Sequence, residues 1–296
     1  MCNFVSLLIG GAVLMLASSA GAQSVDWDKV DAAFGRKPTI TDDVRRYGLP
    51  RSDLQVTVDG VIVRPALALG SWIAFKPAHG GAMVMGDLVL LETEVNPVMS
   101  KLIENGIEIT AIHNHVLRAN PPTFYMHIGG HGDPVAMANA IRTALAESKT
   151  PLQAPSVAAP PPRIDLDTAQ LEQILGAKGQ ANGGVYQFNV PRNEPITEHG
   201  TQLLPAGPTG VATVINFQST GDGKAAITGD FVLTADEVNP VIKALRQSGI
   251  EVTAIHSHML TEQPRLIFMH FWANDEAVKL ARGLRAALDK TARAKS

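Results

Sequence analysis

Seven of the nine histidines cluster at two copies of one pattern, six of them in His-x-His followed after eleven residues by a third His. The first copy is His113, His115 and His127, with His131 just beyond; the second is His256, His258 and His270, with Asn274 where His131 would fall. Alternate side chains of a strand share a face, so His113 and His115 are expected side by side. If residues 118–122 form a hairpin loop, His113 stands opposite His127, and with 261–265 as the second loop His256 stands opposite His270. Ile107, Ile109 and Ala111, and in the second copy Ile250, Val252 and Ala254, are expected on that same face. Imidazoles clustered on an apolar face need partners, because each buried polar group left alone costs about 1 to 3 kcal/mol. A metal ion supplies one. Three histidines with an open fourth position is the arrangement of catalytic zinc, and copper, nickel or iron suits the same donors. The candidate ligands are therefore His113, His115, His127, His131, His256, His258 and His270, and the candidate cofactor is zinc or another transition metal. No nucleotide cofactor is indicated, since no P-loop or G-x-G-x-x-G occurs, and neither does H-E-x-x-H or G-x-S-x-G.

Other residues have structural readings that compete with chemical ones. Glu94 and Glu237 are candidates for a fourth ligand or a general base, with Glu94 the candidate catalytic residue, but a carboxylate before a helix also favours its positive end, and that reading ranks first. Asn96 and Asn239, each before a proline, read as helix caps, as does Asp133 before Pro134. Arg51 with Asp53 and Arg192 with Glu194 could hold an anion; ion pairs within the fold are the simpler reading. Tyr125 has Phe268 as its counterpart, so a hydroxyl role could exist in one copy alone. Gly129-Gly130 in the first copy becomes Trp272-Ala273 in the second, which makes the first the more open and the better candidate for activity. His79 and His199 lie outside the pattern and receive no role.

The elements that must position these side chains are legible because the chain is duplicated. Glu94 to His127 aligns without gaps to Glu237 to His270, and 18 of the 34 positions are identical. Outside this block Gly86-Asp87 matches Gly229-Asp230, and Pro50-Arg51 matches Pro191-Arg192. Each unit opens with a short helix, carrying Trp27, Val30 and Phe34 in the first copy and stopped by Gly35. Strands are expected at Leu54 to Val63, Ser71 to Lys76 and Met83 to Leu91. A helix from Asn96-Pro97 to Glu104, strands at Ile107 to Leu117 and Thr123 to Gly129, and a final helix lined by Val135, Ala138, Ile141 and Leu145 complete the unit. The expected fold class is α+β, two tandem copies of an antiparallel-sheet domain covered by helices. The units span 23–147 and 164–296, joined by a Pro/Ala-rich linker at 148–163.

Residues 1–22 read as a signal peptide, with an apolar stretch from Phe4 to Ala17 and a cut after Ala22 in Ala20-Gly21-Ala22. A retained anchor is the alternative, because the first residues carry no Lys or Arg. Cleavage removes Cys2, the one cysteine, so thiol chemistry and disulfides are excluded from the mature chain. The expected location is periplasmic or secreted, with no stable membrane span after cleavage. A net charge of -3 gives no footprint for nucleic acid, and 45% apolar residues exclude disorder.

With these residues in hand, Gly86-Asp87-Leu88-Val89-Leu90, Glu94 to Pro97, Gly106 to His115 and Tyr125 to Pro134 resemble a bacterial domain-of-unknown-function family that includes the lipoproteins LppY and LpqO. The second copy matches as far as His270 and then departs. The resemblance implies an exported, duplicated envelope protein, and the missing cysteine at the cleavage site sets it apart from the lipoprotein members. Three functions follow in order. The first is an envelope protein binding a transition metal or small ligand, with a cell-envelope component as a further partner. The second is a metal-dependent periplasmic hydrolase, and the third a structural protein with satisfied core histidines.

Overall fold

In the computed structural model, residues 25–153, 162–205 and 207–293 are described. The signal segment 1–22 and the middle of the linker, 154–161, lie outside the described residues. The first unit runs α1 (Trp27–Phe34), β1 (Thr39–Thr41), β2 (Val44–Pro50), β3 (Val56–Val58), β4 (Val61–Val63), α2 (Pro65–Ala68), β5 (Gly70–Ala78), β6 (Gly81–Leu91), α3 (Glu92–Glu104), β7 (Glu108–His113), β8 (Thr123–Gly132) and α4 (Pro134–Leu145). The second repeats it as α5 (Thr168–Leu175), β9 (Gly179–Asn182), β10 (Val185–Val190), β11 (Thr197–Glu198), β12 (Thr201–Gln202), β13 (Thr213–Gly221), β14 (Lys224–Leu233), α6 (Ala235–Gln247), β15 (Glu251–His256), β16 (Ile267–Glu276) and α7 (Ala277–Leu288). Each unit is a six-stranded antiparallel sheet, ordered β1-β2-β5-β6-β8-β7 and β9-β10-β13-β14-β16-β15, with helices on one face. The fold is α+β in two tandem copies.

Local chemistry sets most of the boundaries. Asp26 accepts the Lys29 N–H to open α1, and Gly35 at φ 61° closes it in the left-handed region. Asp133 accepts from Val135 and Ala136 at the start of α4. The expected caps Asn96 and Asn239 are corrected: both lie inside helices that begin at Glu92 and Ala235. The reason is the glutamate at the third helical position. Glu94 Oε2 takes the Leu91 N–H at 2.9 Å and Glu237 Oε2 the Thr234 N–H at 2.8 Å, so each helix starts before its proline.

The helix-covered faces form two separate cores, one around Leu88, Leu90, Met126, Ile128 and Ile141, the other around Phe231, Leu233, Met269, Phe271 and Leu284. The uncovered faces of the two sheets pack against each other. Val89 and Tyr125 share a cluster with Val185, Ala226 and Trp272, while Met83 and Met85 share one with Val232, Met259 and Phe268. The two units are therefore joined face to face, about an approximate two-fold relation that carries each residue of the aligned block onto its partner 143 positions on.

Candidate metal centre

Two features place the histidines on that joined face, and both differ from the sequence expectation. The loop after β7 begins at Asn114, because Asn120 exchanges both backbone hydrogen bonds with Thr57 at 2.9 Å and is drawn toward β3. The register consequently moves by two: His113 pairs with Tyr125, Ala111 with His127, and likewise His256 with Phe268 and Ala254 with His270. An even shift keeps every histidine on the expected shared face. The second feature is a bulge at Thr110, and another at Thr253, where one extra residue reverses the alternation. Ile107 and Ile109, expected beside the histidines, belong with the helix-covered core, as do Ile250 and Val252. Ala111, His113 and His127 face the other unit instead.

The extra residues also fasten the interface. Thr110 Oγ1 donates to the His258 carbonyl at 2.6 Å, and Thr253 Oγ1 to the His115 carbonyl at 2.5 Å. Across this clamp the imidazoles of the two units stack in related pairs. His113 lies on His256 with centroids 3.5 Å apart, His115 on His270 at 3.8 Å and His127 on His258 at 3.8 Å. Tyr125 and Phe268 back the group, stacking on His115 at 3.3 Å and His258 at 3.5 Å. The Tyr125 hydroxyl is spent on the Ala68 carbonyl at 2.7 Å.

Two carboxylates complete the arrangement. Asp87 pairs across the strands with His127, and Asp230 with His270. Asp87 lies 3.7 Å from His115 and 4.0 Å from His127, and Asp230 lies 3.2 Å from His258 and 3.9 Å from His270. Neither was a site candidate in the sequence reading, although the Gly-Asp pair recurring in both copies was the available signal. Four overlapping groups bring three or four potential ligand atoms within 4.8 Å of one another: His113, His127, His256 and His258; Asp230, His256, His258 and His270; His113, His115 and His270; Asp87, His115 and His127. Two of these four mix the units. What the sequence read as two equivalent sites is one cluster of six histidines and two aspartates.

The remaining sequence candidates lie elsewhere. Glu94 Oε1 and Oε2 accept from Arg51 at 3.1 and 2.7 Å, and also from the Lys149 and Leu91 backbone, and Glu237 holds Arg192 in the same way. Arg51 is fully buried with all five N–H groups used, on Asp53, Glu94 and the Val89 carbonyl. His131 is outside the four groups and faces His199 with centroids 4.8 Å apart.

Burial first, and neighbouring imidazoles second, hold His115 and His127 well below the ordinary histidine range. Burial lowers His258 to about 3 and His270 to about 4. Burial, then repulsion from Asp230, pushes Asp87 up to about 8, while Asp230 rises to about 6, burial again leading. At neutral pH the imidazoles are therefore bare bases with lone pairs free to bind. His270 Nδ1 lies 2.7 Å from the Gly229 carbonyl, which can only accept, so the hydrogen sits on Nδ1 and Nε2 presents its lone pair to the cluster.

A face-to-face α+β duplication enclosing a histidine-rich cluster is the class that fold and site define. The chain belongs to the family described as Domain of Unknown Function (DUF1259), which matches residues 28–147 and 169–290. No curated protein matches the chain. Among solved structures it is similar to a trimeric bacterial microcompartment shell protein, PduB, at 14% identity and TM-score 0.23, covering 88% of this chain and 97% of that one. EtuB from Clostridium kluyveri matches at 11% identity and TM-score 0.21, covering 86% and 89%. No helix among the described residues is long and apolar enough to cross a membrane.

Proposed function

We propose that this protein binds a transition metal at one centre shared by its two units, His113, His115 and His127 contributing from one side and His256, His258 and His270 from the other. The observation that carries the reading is a concentration of unpartnered buried atoms. The Nε2 atoms of all six histidines, Nδ1 of His256, and one oxygen each of Asp87 and Asp230 are buried without a hydrogen-bond partner. Groups left this way cost about 1 to 3 kcal/mol each, and a bound cation satisfies imidazole lone pairs and carboxylate oxygens together. A satisfied structural core would not leave them so. Zinc, copper, nickel and iron all suit this donor set.

Export is part of the proposal, supported by the apolar start and the Ala20-Gly21-Ala22 exit, as is kinship to the lipoproteins LppY and LpqO on the motifs quoted above. A metal-dependent hydrolase is the second reading. It is favoured by Asp230, a carboxylate beside His258 and His270 whose unpartnered oxygen could take a proton from a bound water.

Elemental analysis of the purified chain, expressed with metals available, tests the centre. The expected result is bound transition metal in the wild type, with most of it lost in both His113→Ala and His256→Ala. Retention of about half in each single variant would mean two independent sites, and no metal in the wild type would remove the proposal.

A further inference from the structure

The histidine centre lies between the two sheets, with His127, His258, His270 and Asp87 buried, and the two ends of that interface have diverged. At one end Asp59, at the turn between β3 and β4, accepts from Arg118 Nε at 2.7 Å and Nη2 at 2.9 Å and from Trp272 Nε1 at 3.0 Å, and Arg118 also holds Glu251 at 2.8 Å. Trp272 is 2% exposed, so that end is filled by an indole and closed by a guanidinium with two carboxylate partners. Backbone pairing fixes the counterparts at the other end. Thr57 exchanges hydrogen bonds with Asn120, and Thr197 does so with Gln263, the residue aligned with Asn120, so Glu198-His199 stands where Val58-Asp59 stands in the first unit. Thr261 takes the place of Arg118 there and Gly129 that of Trp272. A cleft opens instead of a plug, with Glu108, His131, Glu198 and His199 at its walls and His258 of the cluster at its inner end.

The cleft is built to pass a cation and not to hold one. Glu108 is the counterpart of Glu251, but Thr261 offers it no guanidinium, and Glu198 keeps its Oε2 buried without a partner. Two carboxylates therefore line the opening where the closed end has a neutralised cluster. Walls of one charge sign concentrate the opposite ion at an entrance and speed its arrival. None of Glu108, His131, Glu198 and His199 belongs to the four groups whose ligand atoms converge within 4.8 Å, whereas His258 belongs to two of them. Scattered donors let an ion enter and leave again, and the converging set that retains it begins at the inner end of the cleft.

We propose that this open end is the route by which a transition-metal cation enters and leaves the shared centre, past Glu108 and Glu198 to His258, and that Asp59, Arg118 and Trp272 seal the opposite end. The inference rests on the shared centre proposed above. A route acts on rates alone. Obstructing it slows entry and exit by the same factor and leaves the equilibrium affinity as it was, whereas removing a ligand or loosening the fold changes affinity.

The test is stopped-flow uptake of cobalt(II) by the metal-free full chain, read by the visible absorption of the bound ion, with release into excess chelator and calorimetry for affinity. His199→Asp/Thr261→Arg rebuilds at the open end the acid and guanidinium that close the other, on two exposed residues and with no change in net charge. Uptake and release should both slow at least about tenfold while affinity stays within about twofold, the lower end of the range over which charge at an entrance sets rates. Arg118→Thr, also at an exposed residue, leaves the indole in place at the closed end and should change neither rate. Unaltered rates in the double variant, or lost affinity without a matching slowing of uptake, overturn the route and leave the shared centre standing. Faster uptake by Arg118→Thr puts the entrance at the other end and overturns the route too. Absence of any cobalt binding by the wild type removes the shared centre, and the route with it.

Discussion

The threonine clamp is the most direct test of how the two units bring their histidines together. Replacing Thr110 by Val keeps the branched shape that a strand accommodates and removes only the hydroxyl that donates to the His258 carbonyl at 2.6 Å; Thr253→Val does the same to the 2.5 Å bond to the His115 carbonyl. A hydrogen bond contributes about 1 kcal/mol net, and an acceptor left dry costs up to about 3 kcal/mol. Thr253 and His258 are both 8% exposed, so water relieves little of the loss. Each single variant should lose about 1 to 2 kcal/mol and the double variant about 2 to 4 kcal/mol. With a urea slope near 3 kcal/mol/M for a chain of this size, the double variant's midpoint falls by about 1 M. The serine variants, which retain the hydroxyl, should fall by less than half as much. Because the bulges also hold His113 and His256 against each other, the double variant should bind cobalt(II) at least about tenfold more weakly, equivalent to about 1.4 kcal/mol of lost positioning. The clamp is refuted if the double variant unfolds at the wild-type midpoint. It is refuted as a positioning device if stability falls and metal affinity does not.

Three further outcomes follow from contacts elsewhere. Glu94→Ala leaves the fully buried Arg51 guanidinium without its bidentate partner and should cost about 3 to 5 kcal/mol; Glu237→Ala should cost less, since Arg192 already has an unpartnered Nε, and equal losses in urea unfolding would contradict this. Burial works to raise the Glu94 and Glu237 carboxyls, but the hydrogen bonds and charge of Arg51 and Arg192, together with backbone N–H bonds from Leu91 and Lys149 to Glu94 and from Thr234 and Ala292 to Glu237, outweigh it and hold both below the usual range. Their stabilisation is therefore complete above the unfolded-state value and lost as pH falls below it through the folded one, so wild type should lose more stability than Glu94→Gln between pH 5 and pH 3, roughly the window of an ordinary glutamate. Parallel curves would show that the pair does not titrate with folding. A methyl added at Gly229 would sit 1.9 Å from the Val214 carbonyl oxygen, whereas at Gly86 the nearest atom is 2.9 Å away, so Gly229→Ala should lower Tm further than Gly86→Ala, by a difference on the order of 5 °C; the reverse order would refute the packing argument.

Much of the fold could be read from the chain because repetition filters the signal. The α1 stop at Gly35, the Asp133 cap and the core line of α4 all rest on local chemistry that a short window contains. β2 was missed: Val44–Pro50 places Arg45 and Arg46 at consecutive positions, and their charges hide a strand whose arginines lie over Trp27 and Trp72. The histidine face was readable in kind and wrong in its neighbours. A bulge at Thr110 leaves no mark in an alternating sequence, yet it sends Ile109 to one side of the sheet and His113 to the other. The facing of the two sheets was not legible at all, because nothing local says that an apolar face will be covered by a copy of itself. Asp87 and Asp230 were missed for the same reason, since their role depends on a cross-strand partner and on a second sheet.

Tandem duplication explains why such a cluster belongs to one chain. In a symmetric pair of identical chains, any substitution at one end of the interface appears at the other end too, so a plug and an opening cannot coexist. Here Arg118 with Asp59 closes one end, while Thr261 with His199 leaves the other open, and the residues between, His113 with His256 and Asp87 with Asp230, remain paired in kind. The central residues are the ones each unit needs from its partner, since two of the four potential ligand groups take atoms from both units. Divergence at the ends changes access without disturbing that centre. The asymmetry is thus a consequence of fusion, and it separates a closed end from an open one around a motif that the two halves share.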